Sequence, residues 1–122
     1  MPYYVDENKI FPDRITVATA SSSFVCVTSV YQVGATIDAS YVTKTLAYTF
    51  AVTGPGGATY KIYGGNISTC ADEALVKDAT AVGATASGGF TVDSVPFNYY
   101  RVKLMATSDG TTANVVVTGL AK

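Results

Sequence analysis

Apolar and polar residues alternate along much of the chain with a period of two, which is typical of β-strands that bury one face. The alternation is clearest from Asn98 to Thr107. One face of this segment takes the residues expected in a core: Tyr100, Val102, Leu104 and Ala106. The other face takes those expected to meet solvent or a partner: Tyr99, Arg101, Lys103 and Met105.

Two further strands follow from the same pattern, at Val42–Val52 and Ala58–Tyr63. The glycine-rich break Gly54–Gly57 between them predicts a hairpin. Ser108, Asp109 and Gly110 likewise predict a turn that leads into a strand from Ala113 to Thr118. We therefore expect a second hairpin at the C-terminus, since turn residues separate the two strands.

The other predicted strands are less regular. Arg14–Thr19 and Ser23–Val33 both favour strands, and the nearly continuous apolar character of the second predicts a central strand covered on both faces. A short strand is expected at Phe90–Asp93, before Pro96. Asp72–Asp78 fits either two turns of helix or a short strand.

The whole pattern predicts an all-β protein, because about seven or eight strands are joined by turn-rich breaks. The 17 threonines, 16 valines and nine tyrosines agree with this, since all three residue types favour pleated surfaces. We expect residues 14–122 to form a single antiparallel β-sandwich, of the jelly-roll or immunoglobulin-like type.

Residues 1–13 differ from the rest and are predicted to form an extended N-terminal arm. Pro2 and Pro12 bracket a segment in which apolar residues alternate with polar ones. Because apolar arms need a surface to cover them, we expect this one to dock on its own domain or on a neighbouring subunit.

Composition narrows the possible functions. Charged residues make up 14% of the chain and the formal net charge is −1, so the basic excess typical of a nucleic-acid-binding protein is absent. The chain has no histidine, which removes the commonest catalytic base and a common metal ligand. We therefore expect no enzymatic activity, no cofactor and no metal site.

Neither the N-terminus nor any internal run predicts a signal peptide or a membrane span, so we expect assembly in the cytosol. The two cysteines, Cys26 and Cys70, are too far apart in sequence for a zinc motif. Cys26 lies in an apolar run and is expected to be buried and free, although a Cys26–Cys70 disulfide stays open.

The stretch from Leu46 to Gly119 resembles a β-sandwich domain of tailed-bacteriophage virion proteins. The similarity lies in the order of five segments: Leu46–Phe50, Tyr60–Asn66, Gly89–Val92, Tyr99–Thr107 and Val115–Gly119. This resemblance implies a virion accessory role, such as a capsid decoration (cement) protein, a head fibre base or a tail-associated domain. A similar sandwich occurs in self-assembling surface or spore-appendage subunits.

We therefore expect a non-enzymatic virion protein that binds the major capsid protein or another virion protein and forms a dimer or trimer. A surface filament subunit, located outside the cell, and a small glycan-binding tail or adhesin module are the alternatives. Candidate partner-binding residues are Tyr3, Tyr4, Ile10, Phe11, Tyr63, Tyr99, Arg101 and Lys103.

Overall fold

A computed structural model describes residues 17–40 and 45–122 of the chain. The predicted arm, with Tyr3, Tyr4, Ile10 and Phe11, lies outside the described residues. Within them, eight strands form two four-stranded antiparallel sheets. The strands are β1 (Ala18–Cys26), β2 (Gln32–Asp38), β3 (Leu46–Thr53), β4 (Ala58–Gly65), β5 (Ala74–Val82), β6 (Ala86–Val92), β7 (Tyr99–Ala106) and β8 (Ala113–Ala121).

The two sheets confirm the predicted β-sandwich. Sheet A has the order β1-β8-β3-β6, and sheet B has the order β2-β7-β4-β5. Six of the seven connections between the described strands pass from one sheet to the other, and only β4 and β5 are both consecutive and paired. This order favours the jelly-roll arrangement, because immunoglobulin-like sheets contain several pairs of consecutive strands.

The core lies between the sheets and comes from the inward positions of the alternating pattern. Tyr48, Phe50 and Leu46 of sheet A meet Tyr60, Ile62, Tyr100, Val102 and Leu104 of sheet B, all nearly inaccessible to solvent. The rings of Phe50 and Tyr60 stack across the core with centroids 4.0 Å apart. Burial of these rings supplies much of the hydrophobic stabilisation of so small a domain.

One buried tyrosine joins the two sheets directly. Tyr48 of β3 donates its hydroxyl hydrogen to the carbonyl oxygen of Ala35 in β2, at 2.8 Å. Ala35 has a φ of 52° and lies where the pairing of β2 with β7 shifts register. Gly119 leaves room for the ring, since a Cβ there would lie 2.6 Å from Tyr48. Burial raises the pKa of Tyr48 far above its ordinary value, so the hydroxyl stays a donor.

Both predicted hairpins are wrong. β3 and β4 lie in different sheets, and so do β7 and β8, so the breaks at Gly54–Gly57 and Ser108–Gly110 cross between sheets. The reason is that an alternating pattern specifies which face of a strand is buried but not which strand it pairs with.

The predicted central strand at Ser23–Val33 is also wrong. Residues 27–31 form a connection between β1 and β2, and both of these strands are sheet edges. The apolar run is misleading because Val25 and Val30 are exposed, at 60% and 67%. The segment Asp72–Asp78, which fitted either a helix or a strand, contributes the first residues of β5. The strand interpretation is therefore confirmed.

Cys26 and Cys70 are both buried free thiols, so the possible disulfide between them is not formed. Burial raises the pKa of the Cys26 thiol. Burial also raises the pKa of Cys70, although the positive charge of Arg101 acts in the opposite direction. Both thiols therefore stay protonated and pack as small apolar groups.

Candidate partner-binding face

Four of the predicted partner-binding residues lie together on the outer face of sheet B. Tyr99, Arg101 and Lys103 alternate along β7 with core residues, so all three point away from the core and are half-buried. Tyr63 of β4 lies directly opposite Arg101 in the register of the two strands. The alternation in the sequence is the reason that the outward position of these side chains could be predicted without the fold.

Glu73 lies among these residues and was not predicted. Its Oε1 accepts a hydrogen bond from Nε of Arg101 at 2.8 Å and lies 2.7 Å from a terminal guanidinium nitrogen. Its Oε2 lies 2.7 Å from Nζ of Lys103. One carboxylate therefore holds both cations of β7, and all three side chains are only about one-fifth exposed.

The loop between β4 and β5 places Glu73 at this position. The carboxylate of Asp72 accepts hydrogen bonds from the backbone N–H groups of Asn66 and Ile67, at 3.0–3.2 Å. Cys70 has a φ of 57°, and its carbonyl accepts a hydrogen bond from the N–H of Glu73 at 3.1 Å. These bonds make the loop compact and direct Glu73 back over the sheet.

Sequence reasoning missed Glu73 because the residue belongs to a different part of the chain. Its contact with Arg101 requires β5 to lie beside β4 and β4 beside β7. A correct prediction of the β4–β5 hairpin would have placed Glu73 near β7. Among the described strands, β4 and β5 are the only two that follow each other in the chain and also pair.

Two lysines on this face are placed against each other by the sheet itself. Lys61 of β4 lies directly opposite Lys103 of β7, and like charges in such a pair are unfavourable. The side chains diverge, since Nζ of Lys103 lies 4.3 Å from the ring centroid of Tyr63 and Nζ of Lys61 lies 5.1 Å from that of Tyr31. Each ammonium group thus has an aromatic ring as a partner.

The cluster changes the acidity of its carboxyl groups. Partial burial acts to raise the pKa of Glu73, but hydrogen bonds from Lys103 and Arg101 and their charges together hold it below its ordinary value. The hydrogen bond from the N–H of Asn66 is the main cause of the lowered pKa of Asp72. Both side chains are therefore negatively charged near neutral pH.

Sheet A presents a very different outer face. Its outward positions are the odd-numbered residues of β1, β3 and β6 and the even-numbered residues of β8, most of them exposed. The four strands of sheet A contain no Asp, Glu, Lys or Arg, whereas each strand of sheet B contains at least one. Threonine, serine, alanine and valine make up most of this uncharged face.

The arrangement on sheet B is suited to contact with another protein. It combines tyrosines with an arginine and a lysine that are already held in place, and such residues are enriched in protein interfaces. Within the described residues, no group of acidic or cysteine side chains could hold a metal ion. The same part of the chain contains no helix of the length and apolarity needed to cross a membrane.

The sequence matches no protein-family model and no curated protein. The fold is similar to that of solved structures. The PBSX exported protein XepA superimposes with a TM-score of 0.64 and 10% identity, over 84% of this chain and 36% of XepA. This chain thus spans about a third of XepA. A Bacillus endospore appendage, described as a disulfide-linked pilus, gives a TM-score of 0.53 and 17% identity, over 88% of each chain. These similarities establish the shared β-sandwich fold.

Proposed function

We propose that this protein is a non-enzymatic structural protein of a virion, which attaches to the capsid as a decoration protein through the outer face of sheet B. The observation that carries the proposal is the grouping of Tyr63, Tyr99, Arg101 and Lys103 around Glu73 on one outer face. The fold likeness to an exported protein of the PBSX element is compatible with a phage-related role.

The energetics of such an attachment follow from the geometry. Arg101 and Lys103 are already fixed by Glu73, so little side-chain entropy is lost when a partner covers them. The tyrosines offer apolar area together with a hydroxyl group, which suits a contact that excludes water. Each decoration protein would oppose the outward pressure on a capsid by adding buried area across a joint between capsid subunits.

A second function has its own support. A filament subunit outside the cell would be joined to its neighbours by strand addition or by exchange of its arm, and the fold of an endospore pilus subunit is similar to this one. The edge strands β1 and β6 of sheet A agree with this, because neither has a charged residue, a proline or a register shift. Edges of this kind accept added strands readily.

Sedimentation of the tagged protein from the cells that naturally make it separates the two functions. A decoration protein will travel with expanded phage heads in a density gradient, and electron microscopy will show it on their surface. A filament subunit will travel with fibres instead. The decoration proposal fails if the protein is found on fibres or remains free of any particle.

The binding face is tested with variants of the same protein. We expect Tyr99→Ala and Arg101→Ala each to weaken attachment to heads by about tenfold or more, since truncation of interface tyrosine and arginine residues commonly has that effect. Lys122→Ala is the matched control, because Lys122 is exposed at the end of β8, away from the cluster. Equal attachment of all three variants would contradict the proposed face.

A further inference from the structure

We propose that the outer face of sheet A packs against the same face of a second copy of this chain. The inference rests on the proposed structural role only in assuming that the protein works inside an assembly. It concerns a different surface from the cluster around Glu73 and can hold or fail separately.

The first argument is the chemistry of the face. Four strands without a charged residue leave an uncharged surface, in a protein where each strand of the other sheet is charged. Nucleic acids, acidic polymers and anionic lipids need cations that this face does not have. A matching surface must also be uncharged, and the described part of the chain supplies one such surface, which is this face itself.

The second argument is shape. The outward side chains are short, including Thr49 and Thr118 in directly paired positions and Ala51 opposite Val116. The register of sheet A runs without a shift in all three of its strand pairs, so no bulge interrupts the surface. Two such sheets with the same twist pack face to face with their strands about 30° apart, as they do within sandwiches.

The third argument is area. Four strands about 4.8 Å apart and about eight residues long span a footprint of about 19 by 26 Å, or about 500 Å². Two copies would together bury about 1,000 Å², which is the lower limit for a specific protein interface. Val116 and Val25 are 47% and 60% exposed on this face and would gain apolar contacts there.

The packing has a defined symmetry. Because the same patch is used by both copies, the contact is isologous and closes on itself as a twofold dimer. The cluster around Glu73 lies on the opposite sheet and stays accessible on both copies. The dimer would therefore present two partner-binding faces pointing in opposite directions.

The test introduces one charge into each sheet. Ala51→Lys places a lysine on the outer face of sheet A, and Ala81→Lys places one on the outer face of sheet B, at an exposed strand position of the same residue type. Sedimentation equilibrium of the full chain over a range of concentrations measures the dissociation constant of the dimer for wild type and for each variant. We expect Ala51→Lys to weaken the dimer by about tenfold or more and Ala81→Lys to leave it unchanged.

Three outcomes would overturn the inference: a wild-type chain that stays monomeric, an oligomer that Ala51→Lys leaves intact, or equal weakening by both variants. An intact oligomer would point to the sheet edges instead. A monomeric wild type would mean that the face is covered by the chain's own residues or by a different protein.

Thr118→Glu, also on this face, keeps the test valid if Ala51→Lys fails to fold. Failure of attachment to capsids would leave this result untouched, since the dimer is measured with the purified chain.

Discussion

The two sheets of this sandwich share one core but differ in how their outer surfaces and edges are built. The edge strands of sheet B, β2 and β5, contain Asp38, Lys77 and Asp78, and both have register shifts in their pairing. Those features are the usual protection of exposed edges against unwanted pairing. Sheet A has neither charges nor register shifts at its edges. The difference indicates that the edges of sheet B resist the addition of a further strand, whereas the edges of sheet A lack that protection.

The largest effect is expected where the sheets are joined. Tyr48→Ala removes a fully buried ring and the hydrogen bond to Ala35, and should lower the free energy of unfolding by about 3–5 kcal/mol. Tyr48→Phe keeps the ring and should lower it by about 1–2 kcal/mol, because the carbonyl of Ala35 loses its donor. Chemical denaturation measures both values. Equal losses would show that the hydroxyl, and not the ring, holds the sheets together.

The next effect concerns sheet B alone. Glu73→Gln removes the charge that holds Arg101 and Lys103 and should lower the free energy of unfolding by about 1–2 kcal/mol at neutral pH. Asp93→Asn, at an exposed position after β6, is the control and should change it little.

Glu73→Gln should also alter the pH dependence of stability. The folded pKa of Glu73 is lowered, so its stabilising contribution is complete above the ordinary carboxyl pKa and is lost as pH falls through the lower folded value. Wild type should therefore lose more stability than Glu73→Gln on acidification. Asp72, with a lowered pKa of its own, will keep part of the acid sensitivity in both proteins. Parallel thermal unfolding curves across the acidic range would contradict this.

A smaller effect on folding is expected from the outer face of sheet A. Ala51→Lys and Thr118→Glu change exposed side chains that contribute little to the core, so the monomer should keep its stability within about 0.5 kcal/mol. A loss of assembly combined with unchanged unfolding of the dilute monomer would sharpen the contrast between the sheets. A large loss of monomer stability would show instead that the face already has a partner within its own chain.

The smallest effect concerns the thiols. Cys26 at the end of β1 and Cys70 beside sheet B are both buried with raised pKa values, so both should react with a thiol reagent only slowly in the native state. Cys70 should react faster in Glu73→Gln than in wild type, since Glu73 is one of the groups that raise its pKa. Peptide mapping after timed labelling measures each rate, and rapid native labelling of either thiol would contradict the burial described here.

The sequence was sufficient to predict which face of a strand is buried, but not which strands pair with each other. In β7, alternation correctly separated buried Val102 and Leu104 from the outward Arg101 and Lys103. It could not show that Gly54–Gly57 crosses between sheets, because a glycine-rich break suits either connection. Glu73 was missed for the same reason, as its contacts depend on strand order. The exposed valines of the β1–β2 connection were mistaken for core because apolar residues predict burial only on average.

The crossing connections also bear on how the chain reaches its native state. Only β4 and β5 can pair through a local turn, so most strand pairs of both sheets close long loops, which is characteristic of slow folding. During that interval the uncharged strands of sheet A are unpaired and open to aggregation, whereas those of sheet B carry charges that keep chains apart. The sheet that we propose for contact between two copies is thus the one most exposed to misassembly while the protein is being made. The rate of refolding should therefore limit the yield of the native protein more than its final stability does.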